Sequence, residues 1–286
     1  RLFSAAYDHV DAENAVTLPF AGSLSTEKQF GTMVYDMPSL KSAVHHTVRS
    51  GYSHWVVKPQ ISHAGRNCLR CAGLKINQQQ QAWLNARLPA GLYVEPWVKR
   101  LDEAGLQFDI ALTGRSSTVK LIGVTGLKND TRGQYTGSII RRNDEDMLSQ
   151  WGAAIEHGRQ VCEAAAHAGY SGPVGIDAFR FQTPEGGIGT RLCGDVNARM
   201  TMGRLALALR HYLSVSETGL WMLAAGQQFS TFLKRMRKTL GQSAFRDVGA
   251  MVSSPENLSN RPVFCGSVLL IGPNTQIVSR LADELL

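Results

Sequence analysis

Residues 193–203 read CGDVNARMTMG, with an aspartate, an asparagine and an arginine at every second position before the chain turns to small and apolar residues. In an extended strand successive side chains point to opposite faces. Asp195, Asn197 and Arg199 would then line one face, with Val196 and Ala198 packed behind. Two oxygen donors followed by a fixed cation suit a metal-bound phosphate better than a solvated strand edge.

Upstream, PVGIDAFRF (173–181) reads as a strand, QTPEGGIGT (182–190) as a turn, and RLCGDVNAR (191–199) as the returning strand. Strand, glycine-rich turn and strand make a hairpin. The hairpin brings Asp177 near Asp195 and Asn197. Asp177 lies between Ile176 and Ala178, where an unpaired carboxylate is costly to bury. Two such carboxylates repel unless a cation lies between them, and hard divalent cations take oxygen ligands and share substrate phosphates. The competing reading pairs the two aspartates with Arg180 and Arg199 as plain ion pairs.

Away from the hairpin, Leu40, Val44 and Val48 recur every four positions and predict an amphipathic helix from Pro38 to Ser50. HWVVKPQ (54–60) is a short apolar strand. A glutamine-rich helix over 77–88 leads to a second strand, GLYVEPWVKR (91–100). FDIALTG and STVKLIGVTGL read as strands, and residues 129–146 as a polar, exposed loop. A long helix runs from Leu148 to Gly169, RLALALRHYL (204–213) forms another, and GSVLLIG (266–272) is an apolar strand before a closing helix. Strands and helices mix without regular alternation, so the class is α+β, with mostly antiparallel sheets covered by helices on one side.

Composition narrows the function. The chain has 286 residues, 43% of them apolar and 19% charged, which is ordinary for a globular protein. No apolar run reaches the length of a membrane span, and the opening residues lack the charged-then-apolar pattern of a secretion signal. Five scattered cysteines fit a reducing compartment, so a cytoplasmic location is expected. A lone C-x-x-C, Cys68 and Cys71, lacks the second pair that a structural zinc would want. The formal net charge of +7 favours anionic partners. Its densest basic stretch, LKRMRK (233–238), has helical spacing and reads as a solvated helix face, with nucleic-acid binding as the alternative. No nucleophile elbow, phosphate-binding P-loop or H-E-x-x-H pair is present.

The ordered set WVVKP, YVEPWV, GIDAF and GDVNARMTMG resembles the ATP-grasp superfamily, over residues 28 to about 210. The resemblance implies an α+β fold of two subdomains that hold ATP. It assigns the phosphate-contacting lysine to Lys58 and an earlier one to Lys28 in STEKQFG. The adenine-facing hinge falls on Glu95, Trp97 and Val98, acting largely through backbone. The ribose-holding acid falls on Asp102 or Glu103, and the spacing does not choose between them. Asp177, Asp195 and Asn197 become ligands for magnesium, and Arg199 faces the transferring phosphate. The pattern departs from the family around the site. The loop after Lys58 has a single glycine, and Asp177 and Asp195 are 18 residues apart, with TPEGGIG the inserted stretch.

The expected organisation is an N-terminal segment (1–27), a lid subdomain (28–100), a core subdomain (101–215) and a C-terminal extension packed on the core (216–286). The implied activity is an ATP- and Mg2+-dependent ligase that joins a small-molecule carboxylate to an amine through an acyl phosphate, releasing ADP and phosphate. Membrane and nucleic acid are not expected partners. The rival reading is a basic nucleotide- or nucleic-acid-binding protein without catalysis.

Overall fold

The computed structural model describes residues 31–59, 68–114, 116–130, 134–225, 227–259 and 261–286. They divide into two compact units, the described residues up to 102 with 179–191, and those of 103–178 with 192–286. Residues 216–286 share a sheet with residues 103–178.

In the first unit, β1 (Thr32–Val34) leads into α1 (Met37–Arg49). Asp36 starts that helix, because its carboxylate accepts from the Ser39 N–H at 2.8 Å while the Ser39 hydroxyl faces back to the Asp36 backbone. Pro38 sits in the first turn, where no N–H is needed. The apolar spacing seen in the sequence buries Leu40 and Val44. β2 (His54–Pro59) and β3 (Leu69–Ala72) pair antiparallel, α2 (Gln78–Asn85) follows with an Asn77–Gln80 capping box, and β4 (Leu92–Pro96) completes the sheet. The strand order is β1-β4-β2-β3. Its core is Val34, Leu40, Val44, Trp55, Val57, Leu84, Leu92 and Val94. The second strand expected over 91–100 breaks after Pro96, and the Trp97 N–H extends the ladder by donating to the His54 carbonyl at 2.9 Å.

The eight-stranded sheet begins with β5 (Arg100–Thr113) and β6 (Ser116–Asn129), followed by β7 (Tyr135–Arg141). Helices α3 (Glu145–Gln150) and α4 (Gly152–His167) lead to the hairpin strands β8 (Gly172–Gln182) and β9 (Ile188–Asn197). Then come α5 (Met202–Ala208), β10 (Thr218–Ala225), α6 (Phe229–Leu240), β11 (Gly249–Val252), a small ladder of β12 (Asn257–Leu258) with β13 (Arg261–Pro262), β14 (Cys265–Gly272) and α7 (Thr275–Leu285). The order across the sheet is β11-β14-β10-β7-β6-β5-β8-β9.

Register decides which helices share a face. Leu220 pairs with Ile139, Ile139 with Gly126, and Gly126 with Ala104, so these residues and the β5 positions at the same parity face one way. α6 and α7 pack there with Leu220, Met222 and Leu270. α4 joins them, since its Gly158 leaves room for Phe108 and Ile176. α5 covers the opposite face, where Ala206 and Leu207 meet Ile140, Trp221 and Leu269. Helices therefore lie on both faces of this sheet, not on one.

β7 corrects the expected loop over 129–146. Gly137 and Ser138 look like turn residues, but they sit in mid-sheet for reasons of space. A Cβ at Gly137 would lie 2.7 Å from the Trp221 carbonyl oxygen. Ser138 is fully buried, and its hydroxyl is 2.8 Å from the Tyr135 hydroxyl. The long helix expected from Leu148 is interrupted at Trp151, which closes α3 and opens α4.

Candidate functional site

In the first unit, Lys58 and Glu95 face the same side of neighbouring strands. Glu95 pairs with Val56 across the β2–β4 ladder, so Lys58 lies diagonally from it. The Lys58 ammonium stands 2.5 Å from the Glu95 carboxylate, with the lysine side chain 29% exposed and the glutamate 5%. The sequence reading gave Glu95 a backbone role and did not foresee this ion pair. The complementary charges on two strands about to pair were the signal. Trp97 carries the Arg70 guanidinium over its ring at 3.8 Å from the centroid. Val98 packs against Phe179 and Phe181 alongside Tyr52.

The two ribose candidates have different partners. Asp102 receives a fork from Arg180, its Nε donating to Oδ1 at 2.7 Å and its Nη2 to Oδ2. That fork ties Arg180 on β8 to Asp102 on β5. Glu103 accepts from the Asn129 amide at 2.9 Å in the second unit. Lys28 lies outside the described residues.

In the second unit, Asp177 is half-buried on β8, and β9 lies beside it carrying Asp195 and Asn197. β9 ends at Asn197, so Arg199 is not a strand residue as its spacing suggested. It sits in a tight bend in which its N–H donates to the Asn197 carbonyl at 2.8 Å. The bend still joins the two side chains. Arg199 Nη2 donates to Asn197 Oδ1 at 3.2 Å, and its Nη1 donates to the Met200 carbonyl at 3.2 Å. Asp195 is exposed, and its Oδ1 accepts from the Val196 N–H at 3.0 Å. The donor set of two carboxylates and an amide oxygen is the hard oxygen chemistry that suits Mg2+. No group of three or more His, Cys, Asp or Glu side chains is poised for a metal among the described residues.

Sequence reasoning missed Tyr135, which lies close enough to Asp177 for the carboxylate to act on it. Burial pushes the Tyr135 phenol up to about 12; the hydrogen bond from Ser138 opposes this, and the Asp177 charge adds to it. The basic stretch of 233–238 behaves as a helix face should. Leu233 and Met236 are buried in α6, Arg237 lies 3.8 Å from Glu256, and Arg235 Nη2 donates to the Leu285 carbonyl. All five cysteines carry free thiols. No helix among the described residues is long and apolar enough to cross a membrane.

No family model matches this chain, and no curated protein does. Solved structures do. An ADP complex of N5-carboxyaminoimidazole ribonucleotide synthetase superposes with a TM-score of 0.51 over 89% of this chain, at 14% identity. The Staphylococcus aureus N5-carboxyaminoimidazole synthetase with ADP gives 0.51 over 89%, at 10% identity. Biotin carboxylase from Campylobacter jejuni gives 0.51 over 86%, at 12% identity. The chain has the ATP-grasp fold. It spans 65%, 65% and 60% of those three structures, respectively.

An ATP-grasp assignment fits the α+β architecture of largely antiparallel sheets. At these identities the likeness establishes the fold of the chain and leaves its chemistry to its own residues.

Proposed function

We propose that the chain is an ATP- and Mg2+-dependent ligase that joins a small carboxylate to an amine. The observation that carries this reading is the bend after β9, where Arg199 holds Asn197 at the end of the strand that carries Asp195 and neighbours β8 with its Asp177. A solvated strand edge has no use for that combination, whereas an ATP-grasp fold does.

In this reading the adenine lies against residues 95–98, and Lys58 and Lys28 contact phosphates. Asp102 or Glu103 holds the ribose. Asp177, Asp195 and Asn197 hold Mg2+, which when bound neutralises phosphate charge. A carboxylate oxygen of the substrate attacks the γ-phosphorus of ATP and ADP leaves. The amine then attacks the acyl carbon, the carbon–oxygen bond to phosphate breaks, and the amine loses a proton. Arg199 stabilises charge on the transferring group through a planar, forked donor array. Most of the protein's work is positioning.

The test is phosphate release from ATP across a panel of amino acids and small carboxylates, with and without Mg2+. Substrate-dependent, Mg2+-dependent release that Arg199→Lys lowers supports the ligase. ATP binding without release across the panel favours the non-catalytic nucleotide-binding alternative.

A further inference from the structure

The bend that carries Asn197 and Arg199 is short, and both of its ends are held. At one end Asn197 closes β9. At the other, Thr201 caps α5 by accepting from the Arg204 N–H at 3.3 Å, and its hydroxyl donates to Gln107 Oε1 on β5 at 2.6 Å. Gln107 is a polar side chain only 3% exposed in mid-sheet, where an unused amide would be costly.

The surroundings are cut to let this contact form. A Cβ at Gly175 would stand 2.4 Å from Thr201 Cγ2, and one at Gly203 would stand 2.8 Å from Gln107 Nε2. Ordinary side chains at either position would lift the start of α5 from the sheet. A second tie lies one turn on, where Arg204 Nη2 donates to Asp109 Oδ2 at 2.6 Å.

We propose that Gln107 and Thr201 are positioning residues that fix the 197–201 bend and so aim Asn197 and Arg199. This rests on the nucleotide reading above for what the bend is aimed at, but the anchoring itself does not. Neither residue touches the reacting atoms. The half-buried hydrogen bond holds the α5 N-terminus in place, and the two-residue reach from Thr201 back to Arg199 passes that order to the guanidinium.

Two measurements on the full chain separate the parts of the idea. Arg199 is exposed and is followed by Met200, so native-state trypsin cleavage after Arg199 reports opening of the bend, with cleavage after exposed Lys75 as an internal reference. Gln107→Met removes the acceptor and leaves the Thr201 cap intact. It should raise cleavage after Arg199 relative to Lys75 by about tenfold, the scale of losing a half-buried hydrogen bond and stranding its partner. Thr201→Val, which removes the α5 cap as well as this bond, should raise it at least as far, and Thr201→Ser, which keeps the hydroxyl, should restore most of the protection. In calorimetry with ATP as the probe, Gln107→Met should reduce the gain in affinity that Mg2+ brings while leaving affinity without Mg2+ unchanged.

An unchanged cleavage ratio, or an equal rise at both bonds, overturns the anchoring. A wild-type protein that binds no ATP, with the cleavage contrast intact, supports the anchoring and overturns the nucleotide reading.

Discussion

Lys58 and Glu95 offer a sharp energetic test, because the two partners are unequally buried. The Lys58 side chain keeps 29% of its exposure and the Glu95 side chain only 5%. In Lys58→Met, a carboxylate wedged between β2 and β4 loses its cation and cannot turn to water. Complete burial of a broken pair would cost about 3–5 kcal/mol, and partial access for water lowers this to about 2–3 kcal/mol. In Glu95→Gln, the lysine can still swing its ammonium outward on a flexible stem, so the loss should be about 1 kcal/mol. The double variant removes the stranded charge and should recover about 1–2 kcal/mol relative to the sum of the singles. Urea unfolding followed by tryptophan fluorescence reads this directly, since Trp55 is fully buried in the same sheet. Equal costs for the two single variants, or additive behaviour in the double, would refute the claim that burial of Glu95 sets the energetics. A parallel ATP titration adds the functional half. Lys58→Ala should weaken ATP binding by about 1.5–3 kcal/mol if the ammonium also meets a phosphate.

Asp195→Asn should leave nucleotide binding largely intact and weaken its Mg2+ dependence, measured by calorimetry at several metal concentrations; a fall in melting temperature alone would favour a plain ion pair. Gly189→Ala places a Cβ 2.5 Å from the Phe181 ring in the hairpin tip, and overpacking of this kind should cost about 1–3 kcal/mol in urea unfolding. Burial pushes the Cys162 thiol up from 9.0 to about 12, so the folded chain holds that proton where an unfolded one has lost it. The stability this contributes is complete below pH 9.0 and is lost as pH rises toward about 12, a decline that Cys162→Ala should flatten in unfolding measured across that range. At pH 8 a thiol reagent should modify exposed Cys265 quickly and Cys162 only after denaturation.

The sequence by itself determined the elements whose signals are local. α1 was legible because Leu40, Val44 and Val48 repeat at helical spacing. β14 was legible because a strand buried on both sides reads as an unbroken apolar run. The order of four short motifs was also enough to name the fold. Tertiary structure decided what depends on register and crossing. β7 was hidden because its buried positions are filled by Gly137 and Ser138, chosen to clear the Trp221 carbonyl and to bond Tyr135. The pairings of Lys58 with Glu95, Arg180 with Asp102 and Gln107 with Thr201 join residues that lie 37, 78 and 94 positions apart. No periodicity carries that information, since a one-residue slip in any ladder would send each side chain to the opposite face. Arg199 shows the same limit at short range. Alternation places it on the face of Asn197, but the strand stops first, and it is the bend that brings the guanidinium back to the amide.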